Sequence, residues 1–227
     1  MSINTLAEEG LTVITNEVNE QALSRIGVPE ARKWVGPLNK AAKKYGCNSY
    51  DRWCAAMAQM LHESSSFTRL RESMNYTPDG LLATFPTRIT QDQAARLGRL
   101  PNRPADQVAI GNLVYGGRSG NAPNEGFKYR GRGPIQLTFK DNYKMFEVHS
   151  GIKGVVDNPD IVSSNLDAAA EAGFWFFDYN KLWPHSTNIH AISSFVNTGR
   201  LNSSERIIKG YDDRRNKFLI VKRAFLQ

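Results

Sequence analysis

The sequence predicts a mainly α-helical domain with an extended, polar, loop-lined groove. Three observations lead there. Apolar residues recur at helical spacing in four segments, helix-starting and helix-stopping residues bracket those segments, and the long stretch from Thr77 to Gly133 is rich in Pro, Gly, Asn and Arg with weak periodicity. Loops of that length inside a compact domain are usually functional.

The first helical pattern is Val35, Leu38, Ala41, Ala42 and Tyr45, stopped by Gly46. The second runs over residues 49–63, with Trp53, Ala56, Met57, Met60 and Leu61 at the i, i+3, i+4, i+7, i+8 spacing of a core-facing helix. Ser49 is its expected N-cap, with Asp51 well placed in the first turn. The third follows Asn165 as cap and carries Leu166, Ala169, Ala170, Gly173, Phe174 and Phe177. Trp175 and Phe176 add apolar surface on its other side, so burial nearly all round is expected. The last, Arg214 to Leu226, is a basic amphipathic helix that should turn Phe218, Val221 and Phe225 inward.

The chain has 227 residues, 41% hydrophobic and 22% charged. That is an ordinary globular composition, long enough for one sizeable core or two small ones. Residues 21–227 are expected to form a single domain, with residues 1–20 as a loosely attached N-terminal arm. No internal repeat or low-complexity tract is present. Cys47 and Cys54 are too few for a disulfide scaffold and lack the paired spacing of a structural zinc site, so both read as small core thiols of a protein made in a reducing compartment. Met1 to Thr15 holds Glu8 and Glu9 without a basic-then-apolar layout, so no secretory signal is expected. Apolar runs such as Phe174–Phe177 are too short to span a bilayer, and no stable membrane insertion is expected. The net charge of +7, with a pI near 9.5, favours a polyanionic partner: nucleic acid, anionic lipid or an acidic wall polymer.

Two glutamates carry the candidate chemistry. With Trp53 as zero and about 100° per residue, Glu63 falls near 280°, at the edge of the apolar stripe. A half-buried carboxyl there should have its pKa pushed up, as a general acid requires. Glu72 lies nine residues on. The Ser64-Ser65-Ser66 run is a poor helix interior where the chain can turn and bring Glu72 back to face Glu63. Arg69 and Arg71 beside it would keep Glu72 ionised, as a base should be. Two carboxylates in opposed roles are the equipment of glycosidic hydrolysis. By position alone the pair is more readily read as two solvated or salt-bridged glutamates, and the surrounding sequence is what favours the catalytic reading.

The surrounding segments are more specific. Ala58-Gln59-Met60-Leu61-His62-Glu63-Ser64 resembles the helix end carrying the catalytic acid of glycoside hydrolase family 19, the chitinase-like enzymes that include many phage endolysins. Arg71-Glu72-Ser73-Met74-Asn75-Tyr76 is similar to the segment with their second glutamate. Tyr129-Arg130-Gly131-Arg132-Gly133-Pro134-Ile135-Gln136-Leu137-Thr138, followed by Asn142-Tyr143, resembles their most distinctive signature. Asn158-Pro159-Asp160, the aromatic helix and Phe195-Val196-Asn197 follow in family order, so the likeness covers roughly residues 30 to 227.

The resemblance implies a lysozyme-like, chitinase-like helical fold with a substrate cleft, and an inverting mechanism without cofactor. Glu63 would protonate the departing sugar oxygen while Glu72 deprotonates a water attacking the opposite face, the carboxyls standing about 6.5–9.5 Å apart. By the same likeness Thr138 helps hold the water, and Gln136, Asn142 and Asn197 bond sugar hydroxyls or N-acetyl groups. Tyr76 and Tyr129 would line the cleft. An arginine near the C-terminus tunes the carboxylates in the family. Arg214 matches best and Arg206 is its rival, because Asn197-Thr198-Gly199 replaces the usual Asn-Gly-Gly and extra residues follow.

Other signals point elsewhere less well. His62-Glu63 lacks the second histidine of a zinc protease, since residue 66 is serine, and no metal is expected. His62 lies opposite the apolar stripe, where it is solvated or a hydrogen-bonding neighbour. Gly131-Arg132-Gly133 is no nucleotide loop; its glycines suit close approach of backbone to substrate. No nucleic-acid-binding signature accompanies the charge, so no nucleic acid is expected. The expected function is hydrolysis of β-1,4 bonds in bacterial peptidoglycan by a monomeric endolysin. It would be made in the host cytoplasm and would act on the periplasmic wall after release through a separate pore. An effector delivered by another route would look the same. The alternatives are a chitinase acting on N-acetylglucosamine polymers and a catalytically inactive wall-binding relative, against which the presence of both glutamates argues.

Overall fold

The computed structural model describes residues 17–226. Of the expected N-terminal arm, residues 1–16 lie outside the described residues; Val18 is buried and Asn19 caps the first helix. The helices in chain order are α1 Glu20–Arg25, α2 Ala31–Lys44, α3 Tyr50–Glu63, α4 Pro78–Thr84, α5 Gln91–Leu97, α6 Gln107–Tyr115, α7 Lys140–Ser150, α8 Ile161–Ser164, α9 Leu166–Tyr179, α10 Ile189–Thr198 and α11 Tyr211–Ala224. Among the described residues β-pairing is limited to isolated bridges. The fold class is mainly α, as the periodicity predicts. The chain divides into two compact units, one holding residues up to Leu70, Gly133–Ile135 and residues from Ser164 on, the other Arg71–Arg132 and Gln136–Ser163.

The first unit is built on α3. Its residues Trp53 to Leu61 are all buried, wider than the single stripe expected, because α11, α9 and α10 all pack on it. Trp53 meets Phe174 and Phe225 edge-on at ring separations of 5.2 and 6.3 Å. Helix α9 is buried nearly all round, as its sequence implies, and packs on α2 as well. Where it crosses α3, a Cβ on Gly173 would stand 2.3 Å from Met60 Sδ, so any larger residue would have to displace that side chain. Ser49 and Asn165 cap their helices through the backbone N–H groups of Arg52 and Ala168. Phe218, Val221 and Phe225 face inward from the C-terminal segment.

The second unit corrects the expectation of a loop from Thr77 to Gly133, for α4, α5 and α6 lie there. They enclose a core of Met74, Leu81, Ile89, Ala94, Leu97, Ile110 and Val114. Seven to nine residues are too few for helical periodicity to stand out. Their caps are nonetheless in the sequence. Thr77 accepts from Gly80 N–H, Thr90 and Gln93 form a reciprocal capping box, and Asp106 accepts from Ala109 N–H. Helix α7 adds Tyr143 and Phe146 to the buried set.

Candidate active site

Glu63 is the last residue of α3, in the first unit. The helix ends there because Ser64, fully buried, turns its hydroxyl back: Oγ donates to Met60 O at 2.6 Å and accepts from Phe67 N at 2.8 Å. Ser65, Ser66 and Phe67 then take left-handed backbone, φ of 50, 57 and 64°, a costly run for residues with a Cβ. Phe67 anchors it edge-on against Trp34. The break expected at the serine run is therefore present.

The Glu63 side chain is half-buried, as its helical phase implies, and an ion pair holds it there. Arg214, 2% exposed, donates from Nη2 to Glu63 Oε1 at 2.5 Å. Its Nη1 reaches Gln59 Oε1 at 2.6 Å and its Nε reaches Lys209 O at 3.1 Å. Gln59, fully buried, passes the chain on to Ser193 Oγ at 3.1 Å. Of the two candidate arginines, Arg214 is thus the one at Glu63, while Arg206 is exposed in the turn Glu205–Ile207. His62 pairs through Nδ1 with Asp213 Oδ2 at 2.6 Å. Asn197 accepts from Lys209 N–H at 3.0 Å, which ties α10 to the segment carrying Arg214. Sequence reasoning missed Gln59, although it stands four residues before Glu63 and so on the same helix face.

In the second unit, Glu72 sits on a short extended stretch tied to the arginine-glycine signature. Its N–H donates to Gly131 O and its carbonyl accepts from Arg130 Nε. Both carboxylate oxygens accept hydrogen bonds, Oε1 from the Tyr115 hydroxyl at 2.8 Å and Oε2 from Gly131 N–H at 2.9 Å. Burial raises the Glu72 pKa above the ordinary carboxylate range, against the lowering effect of those two donors and of Arg130 and Arg132. The expectation that Arg69 and Arg71 hold Glu72 ionised needs correction. Both are exposed, and Arg71 pairs with Asp160 at 3.4 Å, because successive residues of an extended chain point to opposite sides. Tyr115 was missed too, since nothing in its local sequence marks it.

The signature turn places the remaining residues. A Cβ on Gly131 would stand 2.7 Å from Gln136 Oε1 and 3.3 Å from Glu72 Oε2, so glycine here admits those two side chains. Gln136 itself has φ of 55°. Thr138 is half-buried, its hydroxyl donating to Gln136 O at 2.8 Å, and exposed Asn142 bonds Thr138 O at 2.8 Å. Arg132, 3% exposed, braces the turn through Asp160, Arg130 O and the Tyr143 hydroxyl. Tyr76 is half-buried beside Phe85, near enough to Glu72 for the carboxylate to raise its pKa after burial does so. Tyr129 does not line an open surface. It is 1% exposed, with its hydroxyl on Val156 O, and is a core residue. Among the described residues no cluster of His, Cys, Asp and Glu is arranged to hold a metal ion, and no helix is long and apolar enough to cross a membrane.

Comparison with known proteins gives these groups a family. Residues 107–211 match the model of class I chitinases. A glycosyl hydrolase family 19 domain-containing protein of Haemophilus influenzae is 30% identical over 201 residues, which cover 85% of this chain and 94% of that protein. Chitinase 3 of Oryza sativa subsp. japonica is 30% identical over 100 residues, 39% of this chain and 31% of its own. Among solved structures, chitinase C from Streptomyces griseus superposes with a TM-score of 0.59 at 18% identity, covering 92% of each chain. A bacterial family 19 chitinase gives 0.51 at 18%, over 92% of this chain and 94% of that one. The structural likeness carries the fold and the sequence likeness the lineage: the chain belongs to glycoside hydrolase family 19.

Proposed function

We propose that this family 19 glycoside hydrolase cleaves β-1,4 bonds beside N-acetylated sugars in bacterial peptidoglycan, by inversion, with Glu63 as acid and Glu72 as base. The observation that carries the roles is the hydrogen bonding of Glu72. Both its oxygens accept from donors, one of them a backbone N–H, which suits a carboxylate that is ionised and ready to take a proton. A base whose pKa has been raised toward working pH is also a stronger one. Glu63, with Arg214 on Oε1, would give its proton to the leaving oxygen. Thr138 would hold the water, and Gln136, Asn142, Asn197 and Tyr76 would contact sugar. The reaction is a displacement by water and needs no cofactor.

Peptidoglycan is favoured over chitin by charge and by thiol chemistry. The chain carries a net +7, which suits an anionic wall. Cys47 and Cys54 are free and buried, as in a protein made in a reducing cytoplasm. A monomeric endolysin released to the wall through a separately made pore fits both. The second reading is a chitinase, favoured by the names of the proteins it resembles.

The test is lysis of permeabilised Gram-negative cells by purified protein, abolished in Glu63→Gln. Full lysis by that variant would overturn the assignment. Mass spectrometry of the fragments separates the readings. New reducing ends on N-acetylmuramic acid or N-acetylglucosamine of the wall support peptidoglycan, and activity confined to N-acetylglucosamine polymers supports chitinase. NMR of fresh product should show the α anomer, and a β product refutes inversion.

A further inference from the structure

We propose that Tyr115 is a positioning residue for the base: its hydroxyl and the Gly131 N–H grip the two oxygens of Glu72 and fix the carboxylate in one orientation. The proposal rests on Glu72 being the base. It is carried by the way Tyr115 is itself held. Tyr115 ends α6, and its carbonyl accepts from Asn121 Nδ2 at 2.8 Å. The same asparagine, 6% exposed, accepts from Lys140 N–H at 2.9 Å at the start of α7. The Tyr115 ring meets Phe139 edge-on at 5.4 Å, and the Arg118 guanidinium lies 5.1 Å from the Phe139 ring. Phe139 is held at φ of 75° directly after Thr138. One buried asparagine and one aromatic contact thus link the hydroxyl on Glu72 to the turn bearing Thr138.

The phenol is suited to this task because it remains a donor. Burial, and then the Glu72 charge, push its pKa far above the working range. A carboxylate with one oxygen on a backbone N–H can still swing about that bond, and a second donor on the other oxygen stops the swing. The other ionisable groups facing Glu72 are Tyr76, Arg130 and Arg132, and none is altered by replacing Tyr115.

The discriminating experiment is Tyr115→Phe, which keeps the ring and its contact with Phe139. Lysis of permeabilised cells is followed against pH, and the Glu72 carboxyl is titrated by carbon NMR in Glu63→Gln protein with and without the change. Loss of a donor to a charged acceptor should raise the Glu72 midpoint by about one pH unit and carry the acid limb of the activity profile up with it, with about a tenfold loss below that limb. Asn121→Ala, which keeps the hydroxyl but frees its helix end, should move both by less in the same direction. If neither moves, Tyr115 does not position Glu72 and the assignment of the base is untouched. If the Glu72 midpoint moves while the activity profile stays, the base reading falls and this proposal with it.

Discussion

Arg214 meets Glu63 across 151 positions of sequence and does so almost out of reach of solvent, at 2% exposure. Its guanidinium spends three nitrogens on three acceptors: the Glu63 carboxylate, the Gln59 amide oxygen and the Lys209 carbonyl. A planar fork can do this and a single ammonium cannot. Arg214→Lys should therefore lower unfolding free energy by about 1–3 kcal/mol through buried acceptors left without donors. It should also cut activity by at least tenfold. Urea unfolding and cell-lysis rates check the two effects, and a lysine variant equal to wild type in both would show that the fork is not needed.

The Ser64 turn makes a second, purely local prediction. Ser64 Oγ is the acceptor for Phe67 N–H at 2.8 Å, in a fully buried place. Ser64→Ala strands that N–H at the end of three left-handed residues. A loss of about 1–3 kcal/mol is expected by chemical denaturation, and a change below about 0.5 kcal/mol would mean that water replaces the hydroxyl.

What could be read before folding, and what could not, follows the range of the interactions. Ser49 and Asn165 cap from one turn away, and the apolar spacing of α3 and α9 is local, so both helices were legible. So was the half-burial of Glu63, a matter of helical phase. Helices α4 to α6 were hidden by their shortness, although Thr90 and Gln93 advertise a start. The neighbours of the carboxylates were hidden by distance. Tyr115 stands 43 positions from Glu72 and Gly131 stands 59, and only the fold brings them together. Arg71 misled for the opposite reason: adjacency in sequence puts it on the other side of an extended chain. Tyr129 misled because its place within a signature motif says nothing of which way its ring faces.

Gly210 ties these themes to a single methyl group. It opens α11 at φ of 69°, and a Cβ there would lie 2.3 Å from His62 Cε1. Gly210→Ala must break the His62–Asp213 pairing or shift the helix start that carries Arg214. The left-handed strain alone costs about 1 kcal/mol, so a fall in melting temperature of several degrees is expected, with lysis reduced in step. The His62→Ala background removes the clash but leaves the strain. Activity should recover there in part, and a double variant as poor as Gly210→Ala alone would locate the damage elsewhere.

Glu72 should cost the fold stability in the form that does the chemistry. Burial is the largest influence on its pKa and raises it above the unfolded value. The folded state therefore binds a proton more tightly than the unfolded chain does. That stabilisation is fully present below the ordinary carboxylate range and is lost as pH rises through the raised folded value. Glu72→Gln removes the charge while keeping the hydrogen bonds, for the amide oxygen can accept from Gly131 N–H and the amide nitrogen can donate to the Tyr115 oxygen. The variant should be inactive yet gain on wild type in unfolding free energy as pH rises from about 4 to about 7. Urea titrations across that range measure the gap. A gap that does not widen with pH, or a variant less stable than wild type at pH 7, would show that Tyr115, Gly131, Arg130 and Arg132 already outweigh the burial.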